Sequence, residues 1–421
     1  MRSAAAGAGR APRFTTLPGV KPSTSDVLDS FARTTDSVVT LDRLRELLDS
    51  GRRLKIKYGV DATAPFLHIG HAVNLWMMRE LQEQGHVVQF LIGDVTTRIG
   101  DPTGRSQTRP QISGDDIETN AQAFIDQVGA VLRTDPEVFE IRRNSEWYDP
   151  MSAGELMGLV SQVTLAHLQS RDMFRRRIER GEDIRVHELL YPVLQGYDSL
   201  MLGSDLTIVG TDQLFNEMMG RFFQERGGQS PQVVLTTKIT PGTDGKEKQS
   251  KSLGNFIALN DTARDVFGKV MSIPDTLIVP YLEIYTKVPD ERIAELRGAL
   301  ERGALNPRDA KLELAQALVA RYHGEGTAED ERRWFQETFS KRRTPQDAAT
   351  LVVPERLSVL ELLRAALPDE SASAARRLVE QRAVKLDGEP LTDPHAEVEA
   401  RPGAVLQVGK RRWFRLANAA G

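Results

Sequence analysis

Between Leu54 and Asp94 the chain alternates, breaks, turns helical and then becomes wholly apolar, and few folds accommodate that succession. Leu54 to Val60 places apolar side chains at every second position, as a half-buried strand does. A turn-rich stretch leads into a helical period from about Ile69 to Gln84, which Gly85 and His86 close. Val87 to Ile92 then runs to Gly93 and Asp94 with the pattern of a strand buried on both faces. The unit is therefore βαβ. Apolar strands at Leu206 to Val209 and Val233 to Thr237, alternating with helical stretches such as Asp212 to Glu225, extend it to an α/β doubly wound parallel sheet. Ligands of such a sheet bind beyond the C-terminal ends of its strands.

The 421 residues exceed one ordinary domain, and the texture of the sequence changes accordingly. Residues 1–35 open with a stretch rich in Ala, Gly, Ser and Pro that lacks the apolar core of a secretory signal, and are read as a flexible extension. Residues 36–260 hold the α/β sheet, and 261–340 turn helical and charged, with helices expected at Asp290 to Glu301 and Arg308 to Tyr322. A polar, Pro-bounded linker is expected over 341–355, followed by a small α+β unit over 356–421. In that unit Leu357 to Ala366 and Ala372 to Gln381 read as helices, and Val384 to Leu386, Val405 to Val408 and Trp413 to Leu416 as strands.

Composition narrows the class without choosing it. No apolar run approaches a membrane-spanning length, and the absence of cysteine removes disulfides, thiolate metal sites and cysteine nucleophiles, so the cytosol is the expected compartment. A net charge of -4 argues against wholesale coating of nucleic acid while leaving room for a local basic surface.

Three segments carry chemistry. In Asp61-Ala-Thr-Ala-Pro-Phe-Leu-His-Ile-Gly-His71, two imidazoles stand at the start of a helix, where backbone N–H groups and the macrodipole already favour phosphate, and Gly70 lets a flat base lie close to the chain. Two solvent-facing histidines at an ordinary helix start would read alike; the strand–loop–helix setting favours a site. In Lys248-Gln-Ser-Lys-Ser252, two ammonium groups on a loop can stabilise negative charge that develops on a bound phosphate group, although a lysine-rich solvated loop has the same composition. Tyr191-Pro-Val-Leu-Gln195-Gly-Tyr-Asp198 puts Tyr191, Gln195 and Asp198 on one helical face, as a buried polar cluster also would.

Taken in order, these segments resemble the HIGH and KMSKS signatures and the amino-acid pocket helix of the bacterial tyrosyl-tRNA synthetases, within the class I aminoacyl-tRNA synthetases. The resemblance runs from about Leu54 to Asn255 and includes Ile99-Gly-Asp-Pro-Thr-Gly104 and Gly210-Thr-Asp-Gln213. It implies a Rossmann-type catalytic domain in which Thr63, His68, His71, Lys248 and Lys251 serve the reaction. Asp61, Gly70, Asp212 and Ser252 would join those histidines and lysines around ATP, with Asp212 on the ribose. Asp101, Tyr191, Gln195 and Gln213 would hold tyrosine, and Asp198 would accept its phenolic hydroxyl. Three positions depart from the common pattern: Gln249 replaces Met, Val209 replaces a glycine, and Lys57 marks a branch that also carries an Asn144-to-Trp147 segment.

The tail resembles an S4 RNA-binding domain, with Arg376, Arg377, Arg382, Lys410 and Arg411 as its expected RNA contacts. The implied activity is ATP-dependent formation of tyrosyl-AMP followed by acyl transfer to tRNA(Tyr), with a homodimer as the assembly. Mg²⁺ would be carried by the ATP phosphates, since no metal-ligand cluster is visible in the sequence. The rival reading is a resistance paralogue, or an adenylating enzyme that passes its amino acid to an acceptor other than tRNA.

Overall fold

A computed structural model describes residues 22–63, 66–101, 113–250, 253–340, 348–368, 370–409 and 412–418. Two compact units divide the chain, one running to Glu325 and the other beginning at Gly326.

The first unit is organised by a six-stranded sheet: β1 (Thr35–Val39), β2 (Lys55–Val60), β3 (Val87–Ile92), β4 (Phe139–Arg143), β5 (Leu206–Gly210) and β6 (Val233–Thr237), in the order β1-β6-β5-β2-β3-β4. Strands β2 to β6 are mutually parallel, and every residue of β3 and β6 is buried, as strands covered on both faces require. The sheet is not wholly parallel, however, because β1 runs antiparallel along β6 at the edge. That strand carries Thr, Asp and Ser, so no apolar pattern announces it, and an exposed edge tolerates such residues. Strand order reverses at β2, with β3 and β4 on one side and β5 and β6 on the other, which opens a crevice at the C-terminal ends of β2 and β5.

The expected flexible extension contains structure. Thr24–Ala32 is a helix whose Ser23 and Asp26 form a capping box, and it buries Val27 and Phe31. Helices Ala263–Met271, Ile278–Tyr285, Asp290–Glu301 and Pro307–His323 belong to the same compact unit as the sheet. Trp76 of the helix Ile69–Glu83 donates to the Tyr322 hydroxyl at 3.3 Å, and Arg321 lies 4.8 Å from the Trp76 ring centroid.

Two glycines set the spacing of the helices that flank the crevice. A Cβ on Gly196 would stand 2.7 Å from Met219 Cγ, and one on Gly220 would stand 2.5 Å from Ser199 Oγ. The helices Val186–Leu202 and Leu214–Arg226 therefore approach at backbone distance, and polar side chains on either can meet in the gap.

The second unit has its own core around Val359, Leu362, Leu363, Val379, Val384 and Leu406. Its main sheet has the order β10-β9-β12-β13-β7, built from β7 (Ala349–Val353), β9 (Val384–Leu386), β10 (Glu389–Pro390), β12 (Val405–Val408) and β13 (Arg412–Asn418). β8 (Arg356–Ser358) pairs with β11 (Glu397–Glu399). The expected linker thus overlaps a strand: β7 runs parallel to β13, from Ala349 against Phe414 to Val353 against Asn418.

Candidate active site

The two histidines stand at the start of the helix that follows β2. His68 is the N-cap of Ile69–Glu83, held extended at φ -123° and ψ 170°. Its Nδ1 accepts the Gly70 N–H at 3.2 Å, and His71 Nδ1 accepts the His68 N–H at 3.3 Å. With both Nδ1 atoms acting as acceptors, each neutral ring carries its proton on Nε2, so two imidazole N–H groups join the backbone donors of the helix start. The ring centroids are 3.9 Å apart. Gly70 is required by this packing itself, because a Cβ there would come within 2.9 Å of His68 Nδ1.

The second signature is tied to the first by backbone. Ile69 N–H donates to Ile257 O at 3.0 Å and Leu259 N–H to Leu67 O at 2.9 Å, while the rings of Phe66 and Phe256 stack with centroids 5.2 Å apart. Asn255 shapes the loop between them: its Oδ1 accepts the Ser250 N–H at 2.8 Å and its Nδ2 donates to Asp244 at 2.9 Å. Lys248 Nζ reaches Asp212 Oδ2 at 2.9 Å, joining the loop to the turn Thr211–Gln213 that follows β5. Lys251 and Ser252 lie outside the described residues. Gln249 is buried and donates to the Tyr285 hydroxyl at 2.7 Å, so the residue that departs from the common pattern has become a polar anchor to the helix Ile278–Tyr285.

Asp61 Oδ1 accepts from Thr96 Oγ1 at 2.9 Å and its Oδ2 from the Tyr191 hydroxyl at 3.0 Å, while the Thr63 N–H caps its carbonyl at 2.8 Å. Burial beside the charge of Asp61 holds the phenol of Tyr191 well above the ordinary range. Asp101 accepts from Gln213 Nε2 at 3.0 Å. Gln195 donates to Glu217 at 2.9 Å.

Asp198 is 3% exposed, accepts from Trp147 Nε1 at 3.0 Å, and has Asn144 Nδ2 at 3.5 Å. Burial pushes its pKa up to about 7, against the pull of Lys57's charge and the bonds from Trp147, Tyr148 and Asn144. The folded value lies above the unfolded value of about 3.9, so the group favours folding most below that lower value and loses its contribution as pH rises through about 7. At pH 8 the pocket therefore holds an ionised, poorly solvated acceptor that a hydroxyl donor relieves. KM for a phenolic substrate is expected to rise several-fold between pH 8 and pH 6, and Asp198→Asn should flatten that profile. A pH-independent KM in the unmutated protein would remove Asp198 from the pocket.

A family model for tRNA synthetases class I (W and Y) matches residues 49–340, and an S4 domain model matches 359–406. The tyrosine--tRNA ligase of Moorella thermoacetica is 45% identical over 375 residues, 89% of this chain and 90% of its own length. That of Thermotoga maritima is 42% identical over 385 residues, covering 91% and 96%. The chain belongs to the class I tRNA synthetases. Among solved structures, the mitochondrial tyrosyl-tRNA synthetase of Aspergillus nidulans superposes with a TM-score of 0.60 at 22% identity, covering 76% of this chain and 95% of that one. The L-tyrosine complex of the Archaeoglobus fulgidus enzyme superposes at 0.57 with 24% identity, covering 73% and 98%, so both share the fold.

Against the pattern of this synthetase family, sequence reasoning singled out Lys57 but passed over its partner Glu217, and passed over Asn216 and Arg171. Lys57 lies in a buried ion pair with Glu217, Nζ to Oε2 2.8 Å, and also donates to Ser199 Oγ at 2.6 Å. The available signal was the second of two lysines in the alternating strand and a carboxylate on the helical stretch from Leu214 to Phe223. Asn216, fully buried, touches two of the expected pocket residues. Arg171, also buried, sits over the Phe215 ring at 5.6 Å; burial lowers its pKa while the charges of Asp101 and Asp212 oppose that shift. Val209 is a buried residue of β5, and the glycine that matters is its neighbour: a Cβ on Gly210 would meet Asp212 Oδ1 at 2.9 Å.

In the S4 unit, Arg376 and Arg377 are exposed on the helix Ala372–Glu380, and Arg382 is exposed just beyond it at φ 54°. Arg377 and Arg412 line a groove of about 450 Å³ with Leu378 and Gln381. Lys410 and Arg411 lie outside the described residues.

Proposed function

We propose that this chain is a tyrosine--tRNA ligase. The observation that carries the reading is the buried acceptor Asp198, linked through Asn144 and Thr96 to Asp61, which opens the segment leading to His68 and His71. A carboxylate oxygen of tyrosine attacks the α-phosphorus of ATP, the bond to the bridging oxygen of the β-phosphate breaks, and pyrophosphate departs. A terminal ribose hydroxyl of tRNA(Tyr) then attacks the acyl carbon and AMP leaves. No protein nucleophile enters either step. Thr63, Gly70, His68 and His71 supply donors and room at the phosphates, Asp212 accepts from the ribose, and Asp101, Gln195 and Gln213 surround the amino-acid head.

Lys248 Nζ lies 2.9 Å from Asp212 Oδ2, and binding of the ribose and phosphates would exchange each partner for the ligand. Lys251 and Ser252 complete the loop in this reading. Mg²⁺ enters as the counter-ion of the ATP phosphates.

Arg376, Arg377 and Arg382, with Lys410 and Arg411, form the proposed RNA contacts of the tail. The exposed apolar side chains Met157, Leu165, Ile178 and Val186 support a homodimer, to be read by light scattering. A cytoplasmic location fits a chain with no cysteine; among the described residues no helix is long and apolar enough to cross a membrane.

The decisive experiment is ATP–pyrophosphate exchange with tyrosine and with phenylalanine, followed by charging of tRNA(Tyr). Exchange with phenylalanine as fast as with tyrosine would overturn the amino-acid assignment, and exchange without tRNA charging would favour a non-tRNA acceptor. Truncation after Ser340 is expected to preserve tyrosine exchange within a few-fold while charging falls at least tenfold, because no residue proposed for the adenylate site lies beyond that point. Equal loss of both activities would assign the tail a structural role.

A further inference from the structure

The head of the proposed amino-acid pocket is wired by a chain of amides that runs between two carboxylates. Glu217 and Asp101 lie at its ends, and an ionised carboxylate only accepts. Gln195 therefore turns its NH₂ to Glu217, at 2.9 Å, which leaves its oxygen facing Asn216. Gln213 turns its NH₂ to Asp101, at 3.0 Å, and its oxygen also faces Asn216. Two chains of opposite polarity thus converge on one residue. Asn216 resolves the conflict with a single nitrogen: Nδ2 donates to Gln195 Oε1 at 2.7 Å and to Gln213 Oε1 at 3.0 Å.

The assignment of that amide is forced, because a flipped Asn216 would set its oxygen against two others. Its own Oδ1 is buried and has no hydrogen-bond partner among the described residues. Leaving a buried acceptor unpaired is costly, and here both hydrogens of the amide are committed to the glutamines. The Glu217 end is in turn immobilised by Lys57 at 2.8 Å and by Gln232 Nε2 at 2.9 Å.

We propose that Asn216 is a positioning residue that holds the amide oxygens of Gln195 and Gln213, and through Gln213 the carboxylate of Asp101, in the orientation that receives a substrate ammonium group. This rests on the amino-acid reading given above. Asn216 itself needs no contact with substrate; it removes the freedom of both glutamines to present NH₂ where a cation must sit.

The test compares L-tyrosine with 3-(4-hydroxyphenyl)propanoate, which keeps the phenol and carboxylate and lacks the ammonium group. Asn216→Asp has the same shape and no donor. It is expected to weaken L-tyrosine binding at least tenfold, measured by calorimetry, while the Kd of the desamino analogue and the KM for ATP stay within about twofold. Asn216→Ser, with one donor hydrogen, should fall between, and carries the test if the Asp variant does not fold. Equal weakening of both ligands would make Asn216 merely structural, and undiminished tyrosine binding in a folded variant would remove it altogether. Tyrosine-dependent exchange by the unmutated protein is the control: its absence overturns the amino-acid reading, whereas its presence with an unaffected variant overturns only this proposal.

Discussion

Glu217→Ala is expected to destabilise the first unit by about 3–5 kcal/mol, because it leaves the Lys57 ammonium buried without its counter-charge. Both side chains are at most 2% exposed, so water cannot take the place of the lost partner. Gln195 and Gln232 would lose acceptors in the same event. Replacing the pair together, Lys57→Met with Glu217→Leu, should restore most of the stability, since two matched hydrophobic side chains remove the charge and its desolvation together. Urea unfolding of the three variants gives the comparison. A single variant that unfolds within about 1 kcal/mol of the parent would show the pair to be solvated in practice. The double variant separates stability from function, because it should fold and yet bind tyrosine poorly, having lost the anchor at one end of the amide chain.

His71→Ala should slow adenylate formation on the order of 10²–10³-fold, the usual cost of removing one preorganised donor from a site of developing negative charge. Tyrosine binding should change little, because the proposed role of His71 is at the phosphates and that of Asp198 at the phenol. His71 also accepts the His68 N–H at 3.3 Å, so part of any loss could come from the helix cap. His71→Asn tests this, since its amide oxygen can keep the cap while its shorter side chain withdraws the donor from the phosphates. Single-turnover release of pyrophosphate reads the step directly. Full activity in the Asn variant would reduce the second imidazole to a capping residue.

The parts of the fold legible in the sequence are those whose burial is settled by their own residues. β3 and β6 occupy the ranges read from their apolar runs, and Asp290–Glu301 and Ala372–Glu380 follow the helical period closely. β1 and β7 were missed for a shared reason: each owes its place to a partner distant in sequence, β6 for the first and β13 for the second. A strand of Thr, Asp, Ser and Val has no local cause to be a strand until that partner exists. The helix at Thr24 did carry a local signal, Ser23 followed three residues later by Asp26, within a stretch whose composition suggested otherwise.

The site divides in the same way. Residues that would touch ligand were visible through their motifs, whereas Asn216 and Glu217 were not, because their task is defined by what surrounds them. Glu217 stands in a run of Leu, Phe and Met where any side chain reads as core. Only the close helix contact at Gly196 and Gly220 turns that position into the end of a hydrogen-bonded chain.

The pairing of Leu67 and Ile69 with Ile257 and Leu259 also bears on how the protein is made. The two signatures are separated by most of the first unit, so their ladder closes a long loop late in synthesis. A nascent chain that has passed Thr237 already contains all six strands, together with Asp198 and its partners. It still lacks the backbone that holds the lysine loop against the histidines. Affinity for the amino acid should therefore emerge on the ribosome before affinity for the nucleotide, and the growing polypeptide would pass through a stage in which it can hold one reactant and not yet activate it.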